Sequence, residues 1–166
     1  MQLEKLDSEY LEIVKNILNN KEYKELRKCE HHGINRYEHS LKVSYMAYKY
    51  AKKHNLDYKE AAIGGLLHDF FITGNMNFIE KTKSFFNHPK KSLSNSLKFY
   101  SITAKEENII ISHMFPFGSK IPKYKESWVV SLCDKKVAFT EFRLKFNYKF
   151  RYASNLTLLI LLNFIK

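Results

Sequence analysis

Cysteine, glycine and proline are scarce in this chain of 166 residues, which contains two Cys, five Gly and three Pro. Cys29 and Cys133 form no CxxC pair, which argues against the disulfide framework of a small secreted domain and against a structural zinc site. The few Gly and Pro leave long uninterrupted stretches. No run of alternating apolar and polar residues is long enough to indicate a sheet. These shortages favour an intracellular, all-α protein.

Long apolar runs and blocks of basic residues are also missing. The most apolar segment, residues 156–165, is about half of the ~20 residues that a membrane-spanning helix needs. Residues 1–12 are charged and lack the apolar stretch of a signal peptide, so we expect a cytoplasmic protein and no membrane. The net charge is +11. Without a dense Lys/Arg block, this charge favours a small phosphorylated partner over DNA or RNA.

Apolar residues recur at helical spacing along nearly the whole chain. This pattern predicts an all-α fold, a single-domain bundle of about six or seven helices that spans residues 1–166. The motif-bearing core covers about 33–139. We predict helices at about 7–19, 36–54, 57–69, 87–100, 103–113 and 125–146, followed by an apolar helix at about 155–166. The last helix is a candidate surface for homo-oligomer formation.

Several helix boundaries have specific signals. Asp57 with Glu60 and Thr103 with Glu106 have the spacing of capping boxes, and Asn87 followed by His88 and Pro89 is typical of a helix start. The adjacent Gly64 and Gly65 interrupt the third predicted helix. Each interior Gly costs about 1 kcal/mol relative to Ala, so the pair indicates that another helix or a ligand comes close to that face.

Four histidines and two aspartates occur in the order H…HD…H…H…D on five of the predicted helices. They are His39, His68, Asp69, His88, His113 and Asp134. Imidazole nitrogens and carboxylate oxygens are good ligands for divalent first-row metals. We predict that His39, His68, Asp69 and Asp134 fill a first metal site. His88 and His113, with Asp69 as a bridge, would form a second.

The residues around these positions resemble the HD superfamily of metal-dependent phosphohydrolases over roughly residues 33–139. Residues 37–40 resemble the first-ligand helix of that family, residues 65–69 its namesake His-Asp motif, and residues 132–135 its closing ligand segment. Residues 87–89 and 112–114 resemble the subset that holds two metals. The resemblance implies one or two divalent ions as cofactor, drawn from Fe, Mn, Co, Ni, Mg and Zn.

The resemblance also implies an activity. We expect hydrolysis of a phosphoester or phosphoanhydride in a small phosphorylated metabolite, with nucleotides favoured, through a metal-activated water. Asp69 would bridge or orient this water, and His32 would protonate the leaving oxygen. Arg36 and Lys135 are candidate contacts to the substrate phosphate. Many two-metal members carry a Lys shortly after the His-Asp pair, whereas residues 70–75 here contain no cation.

Two other functions fit the same residues. The ligand set suits a pair of iron ions that activate dioxygen, so a di-iron oxygenase of the same fold is one alternative. A non-catalytic module that binds a nucleotide or a protein partner is the other. The roles of His31 and His32 stay open, since a polar surface loop explains them as well as a site does. His54, at the end of a Lys-rich helix turn, is most simply a cation that complements the helix dipole.

Overall fold

A computed structural model gives the fold of the protein. It describes the backbone of residues 6–31, 34–72 and 78–164, and the side chains of residues 6–29, 34–72 and 86–147. This part of the chain is almost entirely helical, which confirms the predicted fold class. Its helices are α1 (Ser8–Asn19), α2 (Lys21–Lys24), α3 (Arg36–Lys53), α4 (Tyr58–Leu67), α5 (Phe78–Phe99), α6 (Ala104–Ser112) and α7 (Lys125–Phe164).

A short antiparallel hairpin precedes α3. Its strands are β1 (Glu30–His31) and β2 (Ile34–Asn35), and a 3-10 turn (Glu25–Lys28) leads into it. Strands of two residues leave no periodic pattern in a sequence, so the hairpin was not predicted. Asn35 ends β2 and also caps α3, because its side chain accepts a hydrogen bond from the Glu38 amide. The hairpin thus leads the chain directly into the helix that carries His39.

Helix α4 lies at the centre of the bundle, between α3 and α6. A Cβ added to Gly64 would lie 2.7 Å from Ile109 Cγ2 on α6, and one added to Gly65 would lie 3.0 Å from Ser44 Cα on α3. Real Cβ atoms do not approach other carbons this closely. The paired glycines therefore bring α4 against both neighbours, as the sequence predicts.

The start of α4 differs in one respect from the predicted capping box. The Asp57 side chain accepts a hydrogen bond from the Glu60 amide, as expected for an N-cap. The reciprocal bond is missing, because the Asp57 amide donates to Glu126 on α7 and the Glu60 carboxylate accepts from the Thr103 hydroxyl. These contacts tie the start of α4 to α6 and α7. The full capping box predicted for Thr103 and Glu106 is confirmed at the start of α6.

Helix α5 corrects a predicted boundary. The sequence predicts a helix that begins at Asn87, with Pro89 in its first turn. In the structure, α5 begins at Phe78 and Pro89 lies inside it. Proline lacks the amide that would bond to the carbonyl four residues earlier, and the helix accommodates this loss. His88 therefore occupies the middle of a helix, where its direction is set by the turns on both sides.

Helix α7 corrects a second boundary. We expected a helix that ends near Phe146 and a separate apolar helix at about 155–166. Instead, one helix of 40 residues runs from Lys125 to Phe164. Residues 147–155 contain neither Gly nor Pro, so nothing in the sequence forces the helix to stop there. In the described part of the chain, no helix is both long and apolar enough to cross a membrane.

Gly64→Ala tests the close approach of α4 to α6. The added methyl group would overlap Ile109 near its Cβ, which cannot swing away, so we expect the free energy of unfolding to fall by about 1–3 kcal/mol. Urea denaturation measures this change. Lys59→Ala, at an exposed position of the same helix, is the matched control. Equal stability of the two variants would contradict the proposed contact.

Glu106→Gln tests a buried carboxylate in the capping box of α6. Burial raises the pKa of Glu106 to about 7, from 4.5. The folded state then binds this proton more tightly than the unfolded state, so the contribution of Glu106 to stability is lost as pH rises from about 4.5 to 7. We expect the difference in unfolding free energy between wild type and Glu106→Gln to fall across that range. Glu107→Gln, exposed on the same helix, is the control, and a pH-independent difference would be inconsistent with the prediction.

Candidate metal centre

His68 and Asp69 lie immediately after α4, where the chain turns into the interior. Both side chains are buried. The Nδ1 atom of His68 is 2.8 Å from the Gly65 carbonyl oxygen, to which it donates a hydrogen bond. This bond fixes the ring so that Nε2 faces away from its own helix. The end of α4 thus presents one imidazole nitrogen and one carboxylate to the same interior space.

His39 projects from α3 toward α7 and is fully buried. Its Nε2 lies 3.0 Å from Asp134 Oδ1, and its Nδ1 lies 2.9 Å from Glu141 Oε2. The Glu141 carboxylate also accepts a hydrogen bond from Lys42 at 3.1 Å. A carboxylate on the far nitrogen of a histidine orients the ring and strengthens it as a ligand. Glu141 therefore aims His39 at Asp134.

A first group of possible ligands consists of His39, His68 and Asp134. Their donor atoms all lie within 4.8 Å of one another. Asp134 Oδ1 is 3.0 Å from His39 Nε2 and 3.6 Å from His68 Nε2. Helices α3 and α7 and the end of α4 each supply one member, so the group forms only when these three elements pack together.

A second group consists of His68, Asp69 and His113, again within 4.8 Å. His113 follows α6, and its Nδ1 is fixed by the Ile110 carbonyl at 2.8 Å. The Oδ1 atom of Asp69 is 3.8 Å from His113 Nε2 and 3.2 Å from His88 Nε2. The two Nε2 atoms of His88 and His113 are 2.8 Å apart. His88 on α5 therefore joins this second group.

All six residues predicted from the sequence thus converge on one place. The grouping differs in detail from the prediction, because His68 belongs to both groups and Asp69 lies with His113 and His88. Cys29 and Cys133 belong to neither, so the donors are nitrogen and oxygen only. This donor set suits divalent first-row ions.

The His68 ring offers a direct test of whether a metal fits. Its Nε2 is buried and has no hydrogen-bond partner among the described residues. A buried polar atom without a partner is costly in a folded protein. The nitrogen points at the carboxylate of Asp134, so a cation between them would satisfy both. The residues present therefore fit a metal ion.

The centre also favours positive charge electrostatically. Burial lowers the pKa of His39, but hydrogen bonds to Asp134 and Glu141 outweigh burial and raise that pKa to about 9. Burial would raise the pKa of Asp134, yet the hydrogen bond to His39 and the nearby His68 ring hold that pKa well below its usual range. Burial, with His68 and His88 nearby, lowers the pKa of His113 to about 3. Near neutral pH, Asp134 is therefore a carboxylate and His113 a neutral imidazole.

Arg36 and Lys135, the two cations predicted to bind substrate, both donate hydrogen bonds to other groups of the protein. Buried Arg36 donates a hydrogen bond to the Phe71 carbonyl, its guanidinium lies 3.8 Å from the centre of the Phe71 ring, and its Nε is 3.7 Å from Asp69 Oδ2. Lys135 donates to the His113 carbonyl at 2.8 Å and to Ser131. These bonds hold the backbone on both sides of the centre. Substrate contacts by Arg36 and Lys135 stay predictions.

A groove of about 500 Å³ opens beside the second group. The Phe71 ring, which stacks on the His88 ring with centroids 5.2 Å apart, forms one wall. The opposite wall is α5. Its lining residues on α5 are Asn87, Lys90, Lys91, Ser94 and Asn95. Two lysines, two amides and a hydroxyl thus line the groove on its α5 side, whereas residues 70–75 provide no cation.

Of the other histidines, only His54 has a side chain that the structure describes, and it belongs to neither group. His32 lies outside the described residues, as does the side chain of His31, so the predicted proton donor stays a prediction. His54 is exposed at the end of α3, bonded to the Tyr50 carbonyl and stacked on the Tyr50 ring. It follows Lys52 and Lys53, which lie in the last turn of α3, and its role as a cation that complements the helix dipole stays a prediction.

The comparisons with known proteins agree with this geometry. A family model for the HD domain matches residues 36–138, which is more than half of the chain. The chain belongs to the HD-domain family. The match begins at Arg36, three residues before His39, and ends four residues after Asp134, so it contains all six convergent residues of this HD-domain protein. No curated protein and no solved structure matches the chain.

Sequence reasoning missed Glu141. In this HD-domain protein, Glu141 lies seven residues after Asp134 on α7, and positions seven apart share one face of a helix. Val137, between them, is buried on that face. A second carboxylate on the same buried helix face as Asp134 could therefore have indicated a residue that orients a metal ligand.

Glu141→Gln tests whether this carboxylate supports metal binding by the HD-domain protein. Glutamine keeps the size of the side chain but removes the charge that strengthens His39 as a ligand. Loss of such a partner lowers metal affinity by about 10- to 100-fold. Titration with Mn²⁺ or Ni²⁺ by calorimetry measures the change. Glu126→Gln, another buried carboxylate of α7 that bonds to Asp57 instead, is the matched control. Equal affinities in the two variants would rule out the orienting role.

Proposed function

We propose that the protein is a metal-dependent phosphohydrolase. Its substrate would be a small phosphorylated metabolite with a phosphoester or phosphoanhydride bond, and nucleotides are the favoured class. The proposal rests on one observation above all, the convergence of four imidazoles and two carboxylates from five separate segments on one buried place. Membership of the HD-domain family supports the same chemistry.

The six convergent residues would hold one or two divalent ions. The chemistry that such an ion supplies, when bound, is a lowered pKa for a nearby water and neutralisation of charge on phosphoryl oxygens. Hydrogen bonds from Nδ1 of His68 and His113 to backbone carbonyls, and from His39 to Glu141, leave the three Nε2 atoms directed into the centre. Little reorganisation is then needed when a ligand binds there.

Asp69 is the residue best placed to orient a water molecule. It belongs to the second group, with one oxygen near His88 and His113 and the other 3.7 Å from Arg36 Nε. Arg36 is itself fixed by the Phe71 carbonyl. A carboxylate held in this way keeps its oxygens in position while water and substrate exchange.

The groove bordered by Phe71 and α5 would receive the substrate. Its volume is within the range of small-molecule sites. Lys90 and Lys91 would attract phosphate, since exposed lysines at a groove raise the local concentration of anions. Phe71 and Ile72 offer an apolar wall for a base or another flat group. Residues 70–75 contain no cation, so in this proposal Lys90 and Lys91 contact the substrate phosphate.

A phosphoester panel offered to the purified protein tests the proposed function. Protein loaded with Mn, Fe, Co, Ni or Mg should release phosphate or a phosphorylated product. We expect His68→Ala and Asp69→Ala to lose at least about 100-fold in kcat/KM, because each removes a group that acts at the reacting centre. His54→Ala, an exposed histidine outside the site, is the matched control and should keep wild-type activity.

Unchanged activity in His68→Ala or Asp69→Ala would refute the proposal, provided that circular dichroism shows both variants to be folded. Dioxygen uptake by the iron-loaded protein with a carbon substrate, without phosphate release, would favour an oxygenase instead. Failure to bind any of these metals would favour the non-catalytic module.

A further inference from the structure

The outward side of α7 carries a row of large apolar side chains that face solvent. We call this row the outer stripe, and its members are Trp128, Leu132, Phe139, Phe142 and Phe146. Leu132 and the three phenylalanines are between 60% and 68% exposed, and Trp128 is 41% exposed. At 100° per residue, these five positions fall within an arc of about 80° on the helix. Lys135 falls within the same arc between Leu132 and Phe139, where its ammonium group bonds to the His113 carbonyl, so the stripe is apolar on both sides of one lysine.

The inward side of the same helix is buried up to Glu141, and beyond it Leu144, on that side, is 59% exposed. Val130, Cys133 and Val137 pack in a core cluster with residues of α3, α4 and α6. These residues lie on the opposite side of the helix from the outer stripe. The stripe is therefore not needed to hold α7 on the domain. Exposed apolar rows of this size usually mark an interaction surface.

Charge is sorted across α7 and the loop before it. Residues 117–147, all of whose side chains are described, have three acidic groups, and each is turned inward: Glu126 and Glu141 are buried, and Asp134 faces the metal centre. The exposed cations of the same stretch are Lys120, Lys123, Lys125, Lys136, Arg143 and Lys145. Lys136 and Arg143 flank the outer stripe on one side and Lys145 on the other. The surface that this stretch shows to solvent thus contains cations and apolar groups but no anions.

We propose that the outer stripe of α7 docks this protein on an anionic lipid surface. Trp and Phe beside flanking Lys and Arg are the composition of helices that lie in a membrane interface, where rings enter the apolar boundary and cations reach the headgroups. Cytoplasmic leaflets carry the anionic lipids that such a surface attracts. This proposal departs from the sequence-based expectation of no membrane, and docking on a surface needs no spanning segment.

Two other occupants fit the stripe less well. A second copy of the chain, related by a two-fold axis, would bring the same basic flanks of α7 together and repel itself. A helical partner in a coiled coil calls for Leu, Ile or Val at the contact positions, whereas three of the five stripe residues are Phe and one is Trp. Phe117 and Ile121 in the loop before α7 are also exposed, at 66% and 63%, so exposed apolar side chains are not confined to the helix.

Trp128 is the one tryptophan of the chain, so its fluorescence reports directly on the stripe. The full chain would be mixed with vesicles of phosphatidylcholine alone and with vesicles of phosphatidylcholine and phosphatidylserine. We expect cosedimentation and a blue shift of Trp128 emission with the anionic vesicles only. Added salt should weaken the binding, because it screens the attraction between the basic flanks and the headgroups.

Paired variants separate the stripe from general effects. Phe139→Ser with Phe142→Ser should abolish vesicle binding, and Leu97→Ser, at a similarly exposed position on α5, should leave it unchanged. Lys136→Glu with Arg143→Glu should lower the partition coefficient by roughly thirty-fold or more. Lys59→Glu, on α4, is the matched charge control. None of these positions belongs to the metal centre, so metal affinity should stay at the wild-type value and verify the fold of each variant.

Three results would overturn the proposal. The first is an unshifted Trp128 emission when the wild-type protein is mixed with anionic vesicles. This result does not depend on whether the variants fold. Equal binding to both kinds of vesicle would exclude anionic lipid as the ligand. Self-association in analytical ultracentrifugation that Phe139→Ser with Phe142→Ser removes, without vesicle binding by the wild type, would assign the stripe to a second copy of the chain.

Discussion

The close packing of α4 between α3 and α6 is the constraint on which the rest of the structure depends. Two adjacent glycines make it possible, since a methyl group at either position would meet Ile109 or the backbone of Ser44. His68 follows three residues after Gly65. The distance between helices therefore fixes how far the His68 ring lies from His39 on one side and from His113 on the other. Each glycine lowers the stability of the helix, but the close packing that it permits makes the compact centre possible.

A second feature of the centre is that Nδ1 of three histidines takes part in a hydrogen bond, which sets the direction of each ring. His39, His68 and His113 each have this atom bonded, to a carboxylate or to a carbonyl oxygen of the preceding turn. Because Nδ1 is occupied in this way, Nε2 is the nitrogen of each ring that faces the centre. Lys42 holds Glu141, and Lys135 holds the His113 carbonyl, so cations outside the centre stabilise its geometry. The basic composition of the chain thus has a structural use apart from any ligand.

Much of the fold could be predicted because its signals are local. Caps at Asp57 and Thr103, and apolar spacing along α1, α3 and α6, come from residues close in sequence. The six convergent residues were predicted from their types and order. The errors arise where distant contacts decide the outcome. Asn87 and Pro89 have local signals for a helix start, but α5 already begins at Phe78. Likewise, the Asp57 amide binds Glu126 on another helix rather than nearby Glu60, and the buried place of Arg36 depends on the turn at Phe71.

His68 belongs to both ligand groups, and this limits how the donor atoms can be divided between two ions. A neutral imidazole has one lone pair, and here it is on Nε2, because Nδ1 carries the proton shared with Gly65. One lone pair can serve one ion. If two ions are present, the one that does not take His68 has only the other members of its group, which are His39 and Asp134 in the first group or Asp69, His113 and His88 in the second. The two positions are therefore chemically unequal, because only one of them can include the ring at the end of α4.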